Sequence, residues 1–159
     1  MDTRTAAAQP ADAQAVAEAC RDAMWKDDRA SRMLGMEVVA VGPGTATMRM
    51  TVRDDMLNGH DLCHGGLITT LADSAFAFAC NGYNDVTVAS GFDVNLIAAA
   101  RLGDVLTAHG VEVSKSGRTG VYDITVTNQR GERVAAFRGR SYTMKGKPLV
   151  PGLPSTRGV

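Results

Sequence analysis

Hydrophobic residues recur along the chain with two periods, and the switches between them lay out its elements. From Ala11 to about Lys26, apolar side chains fall at Val16, Ala19, Cys20, Ala23 and Met24, the spacing of an amphipathic helix. Ser31 to Leu34 adds a short turn before Gly35. The period then drops to two. Met36 to Val41 is rich in β-branched residues, and Gly42-Pro43-Gly44 makes a turn. Beyond it Ala46, Met48, Met50 and Val52 alternate with Thr45, Thr47, Arg49, Thr51 and Arg53, which predicts a hairpin. Helical spacing returns over residues 65–81, where Ile68, Leu71, Ala72, Ala75, Phe76 and Ala79 form one stripe. Asn81-Gly82 predicts its end through left-handed backbone. Strand patterns then run over Val86 to Ile97, Val105 to Ser114, Gly120 to Thr127 and Val134 to Met144. The order predicts one α+β domain over residues 11–145, with a mainly antiparallel sheet and a long central helix. Residues 1–10 and the proline-bearing residues 146–159 are expected to be flexible tails.

The central helix departs from the usual amphipathic pattern. Between Leu62 and Asn84 its only charged side chain is Asp73, His64 aside. The side away from the stripe carries Thr70, Ser74, Ala77 and Phe78, all uncharged. A helix neutral all round is covered on all sides, so the sheet is expected to curl round it and a second subunit to cover the rest. Counting 100° per residue, Asp73 lies roughly 140° from Ile68, beside Thr69, Phe76 and Cys80. A carboxylate in such surroundings is costly unless paired, and groups of this kind concentrate at active sites.

Composition narrows the field. The chain has 159 residues, 45% hydrophobic and 21% charged, with a formal net charge of zero. That balance offers no bulk attraction to nucleic acid or to an anionic membrane. No apolar run approaches about 18 residues, the length of a spanning helix. Cys20, Cys63 and Cys80 are odd in number and irregularly spaced, and no secretory leader is recognised ahead of them, so a reducing cytoplasm is the expected setting.

Candidate chemistry gathers at the start of the long helix. Gly65-Gly66 lets backbone N–H groups face a bound group with no Cβ in the way. Free donors at the positive end of a helix dipole suit a carbonyl oxygen gaining charge in acyl transfer. Asn58 adds an amide and His64 an imidazole nearby. Gly65 and Asp73 are eight residues apart, or about 12 Å along the axis, so one thioester carbonyl cannot touch both. Two such helices antiparallel across a dimer axis would bring Asp73 of one chain to Gly65 of the other.

The stretches Met56-Leu57-Asn58-Gly59-His60, Cys63-His64-Gly65-Gly66, Leu71-Ala72-Asp73-Ser74-Ala75-Phe76-Ala77, Thr119-Gly120-Val121-Tyr122-Asp123-Ile124 and Phe137-Arg138-Gly139-Arg140-Ser141 resemble the hotdog-fold acyl-CoA thioesterases, specifically the phenylacetate-pathway branch. The resemblance runs from roughly Met24 to Lys145. It implies hydrolysis of phenylacetyl-CoA or a hydroxylated or ring-opened relative, with no cofactor beyond the coenzyme A of the substrate and no metal. It implies Asp73 as nucleophile or general base, Gly65 as the donor to the carbonyl, and Asn58 and His64 as positioning groups. The expected substrate-binding residues are Gly66, Ser90, Arg118, Thr119 and Gly120, and the expected assembly is a homotetramer of two site-forming dimers. Leu96-Ile97-Ala98-Ala99-Ala100-Arg101 departs from the family, which often has Arg-Pro after an aromatic residue or Leu, so acyl preference is left open.

The same residues admit other readings. His60, Cys63 and His64 lie close together but have no partner cluster for a zinc site. Cys63 beside a histidine reads as a packed thiol rather than a nucleophile. Lys115, Lys147, Arg118, Arg138 and Arg140 are candidates for the coenzyme A phosphates, with the Gly117-Arg118-Thr119-Gly120 turn foremost. A non-catalytic acyl-CoA binding module and a hydratase or dehydratase on the same fold are the alternatives to hydrolysis.

Overall fold

A computed structural model describes residues 12–157. The expected tail at residues 1–10 lies outside them, as do residues 158–159. The elements are α1 (Ala13–Asp27), α2 (Arg29–Met33), β1 (Glu37–Gly42), β2 (Thr45–Thr51), a 3-10 turn at Asp54–Met56, α3 (Gly65–Cys80), β3 (Thr87–Leu96), β4 (Val105–Ser116), β5 (Thr119–Thr127) and β6 (Arg133–Thr143). One six-stranded sheet, antiparallel throughout, has the order β1-β2-β4-β5-β6-β3. This is the hotdog arrangement that the resemblance implies.

The long helix lies on the inner face of the sheet. Ile68, Leu71, Ala72, Ala75, Phe76 and Ala79 are buried there against Met48, Met50, Leu106, Ile124 and Phe137, as the stripe predicts. Gly139 of β6 is glycine because a Cβ would stand 2.8 Å from the Phe76 ring. The opposite side of α3 is partly covered by its own chain. The Trp25 and Phe78 rings lie 6.3 Å apart, and Ser31 Oγ is 3.0 Å from Ser74 Oγ. The expectation that a second subunit covers this whole side is therefore too broad: α1 and α2 take the Ser74–Phe78 flank, leaving Thr69, Thr70, Asp73 and Ala77 half-buried.

The strand β3 is an open edge ten residues long, hydrogen-bonded only to β6. Its inward side chains Phe92 and Leu96 remain 41% and 54% exposed, although Phe92 stacks on Phe137 at 4.8 Å. Long apolar edges of this kind need a cover or a pairing partner. β3 runs antiparallel to α3. Its start is tied to the helix end, where Asn81 Nδ2 donates to Thr87 O at 2.9 Å, and its last residue, Leu96, lies against Gly65 at the helix start.

Two local expectations need correction. Left-handed backbone occurs at Asn84 (φ 65°), not at Asn81 (φ −96°). Gly82 serves close approach instead, since a Cβ there would lie 2.9 Å from Gly42 O. The segment after Lys145 is also not a loose tail within the described residues. Asn84 Oδ1 accepts from Val150 N (2.7 Å) and its Nδ2 donates to Leu153 O (2.8 Å). Ser155 Oγ donates to Asp85 Oδ2 (2.6 Å), and Arg157 reaches Tyr83 and Glu112. These side chains, with backbone bonds from Val86 N to Lys147 O and from Thr156 N to Tyr83 O, hold this strap in place of a ladder.

Arg157 also sets the state of Glu112. Burial alone would raise that carboxyl, but hydrogen bonds from Arg157, Tyr122 and Tyr83 more than offset it and hold the group below its ordinary value. A depressed folded value means stability that is present above the unfolded pKa and lost as pH falls through the folded one. Arg157→Ala should therefore lower stability near neutral pH by about 1–2 kcal/mol, the low end of a charged hydrogen bond because the arginine is a third exposed. The gap to wild type should close as Glu112 is protonated, which thermal melts across acid pH would show.

Candidate functional site

The loop before α3 is shaped by Asn58. Leu57 and Cys63 bridge across it, Asn58 N donates to Leu62 O at 2.7 Å, and Asp61 takes a left-handed φ of 57°. Asn58 Oδ1 accepts from His60 N (2.9 Å) and Leu62 N (3.3 Å), which fixes the amide's orientation. Its Nδ2 donors are left without a partner among the described residues. Asn58 lines a cavity of ≈ 260 Å³ together with Gly65, Ile68 and residues 96–100. Cys63 N donates to Ala100 O at 2.8 Å and pins that wall to the loop.

The first turn of α3 has its donors largely spoken for. His64 is the N-cap, and its Nδ1 accepts from Gly66 N at 3.0 Å. His64 O accepts from Leu67 N (2.9 Å) and Ile68 N (3.3 Å). Gly65 N–H alone in that turn makes no bond among the described residues, and Gly65 lines the cavity. The expectation that Gly66 binds substrate through its N–H is corrected: the imidazole already holds it. A Cβ at Gly65 would run into the Leu96 side chain, so the residue must be small for Leu96 to lie over it. Nothing local in the sequence signals that contact, because Leu96 arrives from another element.

Asp73 is in a different place. It is half-buried, with no hydrogen bond or ion pair among the described residues, and burial pushes its carboxyl above the ordinary value. Because β3 runs back along α3, Ser90 in the first half of that strand is level with the Asp73 half of the helix, not with Gly65. Ser90 sits at a break in the β3–β6 register and its Oγ donates to Arg140 O at 3.1 Å. The turn with Arg118 and Thr119 lies at this same end, since Thr119 pairs with Tyr142 and Tyr142 with Val88. The chain thus brings together Asn58, His64, Gly65 and Gly66, and holds Asp73, Ser90, Arg118, Thr119 and Gly120 apart from them.

Several candidate groups are already engaged. Gly120 is buried, and a Cβ there would lie 2.7 Å from Ser141 Oγ, so it is a packing glycine rather than an open phosphate donor. Thr119 Oγ1 donates to Ser116 O at 3.1 Å. Arg138 holds Asp123 through two 2.6 Å bonds and Arg140 holds Asp93 at 2.6 Å. Lys115 donates to Thr143 Oγ1 at 2.8 Å. Among the described residues Arg118 donates to the Tyr142 hydroxyl alone, at 2.9 Å. Cys63 is buried, its thiol is pushed up by burial, and its Sγ contact is His64 O at 3.8 Å, so no imidazole activates it.

The arrangement has relatives. The model of the thioesterase superfamily matches residues 60–135. The acyl-coenzyme A thioesterase PaaI of Escherichia coli K12 is 41% identical over 124 residues, 78% of this chain and 89% of that protein. The structure of the E. coli PaaI protein from the phenylacetic acid degradation operon superposes with a TM-score of 0.84 at 38% identity, covering 86% of this chain and 99% of that one. A Streptococcus mutans UA159 protein, solved bound to acetyl-CoA, aligns with a TM-score of 0.68 at 28% identity, covering 70% and 90%.

An unpartnered carboxylate raised by burial carries a stability cost with a definite sign. With the folded pKa above the unfolded one, the favourable state is the protonated one, and its contribution is lost as pH rises through the folded value. Asp73→Asn should therefore melt higher than wild type at about pH 7, with the difference vanishing below about pH 3.9, the ordinary aspartate value. An equal or lower melting temperature at neutral pH would mean the carboxylate is compensated after all.

Proposed function

This chain belongs to the hotdog-fold thioesterase superfamily and is an acyl-CoA thioesterase of the PaaI type, and from that premise we propose that it hydrolyses phenylacetyl-CoA, or a hydroxylated or ring-opened derivative, at a site shared by two subunits. One observation carries the reading: an unengaged Gly65 N–H and Asn58 amide share a cavity, while the one unpaired carboxylate of the helix stands eight residues away.

In the proposed dimer, the open edges of two β3 strands pair antiparallel about a two-fold axis normal to the sheet. That operation keeps both α3 helices on the same face and makes them antiparallel. Phe92 and Leu96 are then covered, and Asp73 of one subunit approaches the Gly65 cavity of the other. The thioester oxygen accepts from Gly65 N–H and Asn58 Nδ2, both of which strengthen as negative charge develops on it. Asp73 either takes a proton from a water that adds to the carbonyl carbon, or adds to that carbon itself to give an acyl-aspartyl anhydride that a water then cleaves to free acid and Asp73. On both paths the C–S bond breaks, and the proton from the water leaves coenzyme A as thiol. Ser90 and the Arg118–Thr119 turn, at the Asp73 end of one chain, then flank the cavity of its partner. No cofactor takes part. Three buried, unpaired cysteines suit a reducing cytoplasm, and two such dimers make the tetramer.

Removing the carboxylate while keeping its shape tests the chemistry. On a panel of phenylacetyl, hydroxyphenylacetyl and aliphatic thioesters, Asp73→Asn should lower kcat by ~10²- to 10⁴-fold, and equal hydrolysis by both proteins would overturn the mechanism. The acid limb of the wild-type kcat/KM profile should lie above about pH 3.9, following the upward shift of Asp73.

The shared site has its own test. Asn58→Asp keeps an oxygen for the loop N–H groups but removes the donor amide. Each single variant should be nearly inactive, whereas a 1:1 exchange of Asp73→Asn with Asn58→Asp subunits should restore about a quarter of wild-type activity, because half the dimers then carry one intact site. A site within one chain predicts no recovery.

A further inference from the structure

We propose that His64 is a positioning residue that works through the helix backbone: by holding the Gly66 N–H on its Nδ1, it leaves Gly65 N–H as the single donor of the first turn, so that the thioester oxygen has one register. The inference rests on the reading of Gly65 as the carbonyl donor given above. A helix start has four N–H groups without intrahelical partners. Here they belong to His64, Gly65, Gly66 and Leu67: the His64 ring accepts from Gly66 N at 3.0 Å, the His64 carbonyl accepts from Leu67 N at 2.9 Å, and His64 N donates to Met56 O at 2.9 Å, while Ile68 N makes the first regular helix bond, to His64 O at 3.3 Å. The remaining one is that of Gly65, a residue that lines the cavity.

The two glycines divide the labour. A Cβ at Gly65 would strike Leu96, in the cavity wall, whereas a Cβ at Gly66 would stand 3.0 Å from His64 Nδ1 and 3.2 Å from its Cε1. The second glycine makes room for the imidazole to fold back onto the helix. It is a glycine for the cap, not for the substrate. Since Nδ1 accepts, the neutral ring carries its proton on Nε2.

One register matters because Asp73 comes from a separate subunit on a rigid helix. Successive N–H groups are displaced by about 1.5 Å along the axis and 100° around it. A carbonyl that moved from Gly65 to Gly66 would still be polarised but would be misplaced for attack, and displacements of about 1 Å are known to cost ~10²-fold in rate. Loss of the cap should therefore act on kcat more than on KM.

The test is a His64 series on the full-length dimer with phenylacetyl-CoA. His64→Ala should lower kcat ~10- to 100-fold with KM within about threefold. His64→Asn should recover most of the loss, because asparagine is among the best acceptors at this helix position. Isotope-edited infrared of the bound thioester carbonyl, in an Asp73→Asn background, should give one shifted band with His64 or His64→Asn and a split or broadened band with His64→Ala. Should His64→Ala lose the dimer, His64→Gln, whose longer amide is a poor cap, replaces it in the comparison. Equal losses in His64→Ala and His64→Asn would overturn the proposal in favour of chemistry by the imidazole, and undiminished kcat in His64→Ala would overturn it outright. An active Asp73→Asn would instead defeat the underlying reading of the site, so the two failures are distinct.

Discussion

Gly65 and Asp73 ride on one helix, and a helix has a fixed rise of 1.5 Å per residue. That rigidity is the constraint behind the arrangement of the candidate site. It separates the donor of the first turn from the carboxylate by more than any carbonyl can bridge, so in the proposed reading the chain carries two halves of a site rather than one whole. The open β3 edge, the uncovered Phe92 and Leu96 beside it, and Ser90 level with Asp73 all lie on the side that a two-fold partner would complete. In the proposed site the same fixed rise makes the choice between adjacent N–H groups consequential, since a helix cannot flex to follow a carbonyl that binds one residue out of place.

Much of this was legible in the sequence because it rests on periodicity. The period-two runs at 45–53 and 120–127 and the helical stripe from Ile68 to Ala79 report directly which side chains face the core, and the strands and long helix fall where those patterns place them. Asp73 stood out for the same local reason, as one charge in a neutral run. What could not be read is what depends on contacts between distant residues. The strap after Lys145 is held by Asn84 and Asp85, some 66 and 70 positions away, and its prolines by themselves suggest only looseness. The covering of Phe78 by Trp25 is likewise a tertiary fact, and it narrows what a second subunit has to cover.

Glycine shows the limit most clearly. Gly65, Gly66 and Gly120 look alike in sequence, and each reads as a residue open to substrate. In the fold, Gly65 yields space to Leu96, Gly66 to an imidazole and Gly120 to Ser141 and Tyr122. The absence of a side chain reports that something comes close, without saying whether it is a ligand or the chain itself. Only Gly65 combines that closeness with an unspent N–H and a cavity.

Asp73 differs from the other partly or fully buried carboxylates in having no partner within the described chain. Asp104 accepts from Arg101 N, Gln129 and Arg130; Glu112 accepts from Arg157, Tyr83 and Tyr122; Asp123 holds Arg138. Each of these is held below its ordinary value, whereas Asp73 is pushed above its own. A resident cation or N–H beside Asp73 would remove the cost of burying it, but would also occupy its lone pairs and weaken it as a base. The uncharged surface from Leu62 to Asn84 thus serves two ends: it lets the helix be covered, and it keeps a basic electron pair free. Folding stability alone would favour filling that gap; the role proposed for Asp73 requires that it stay open.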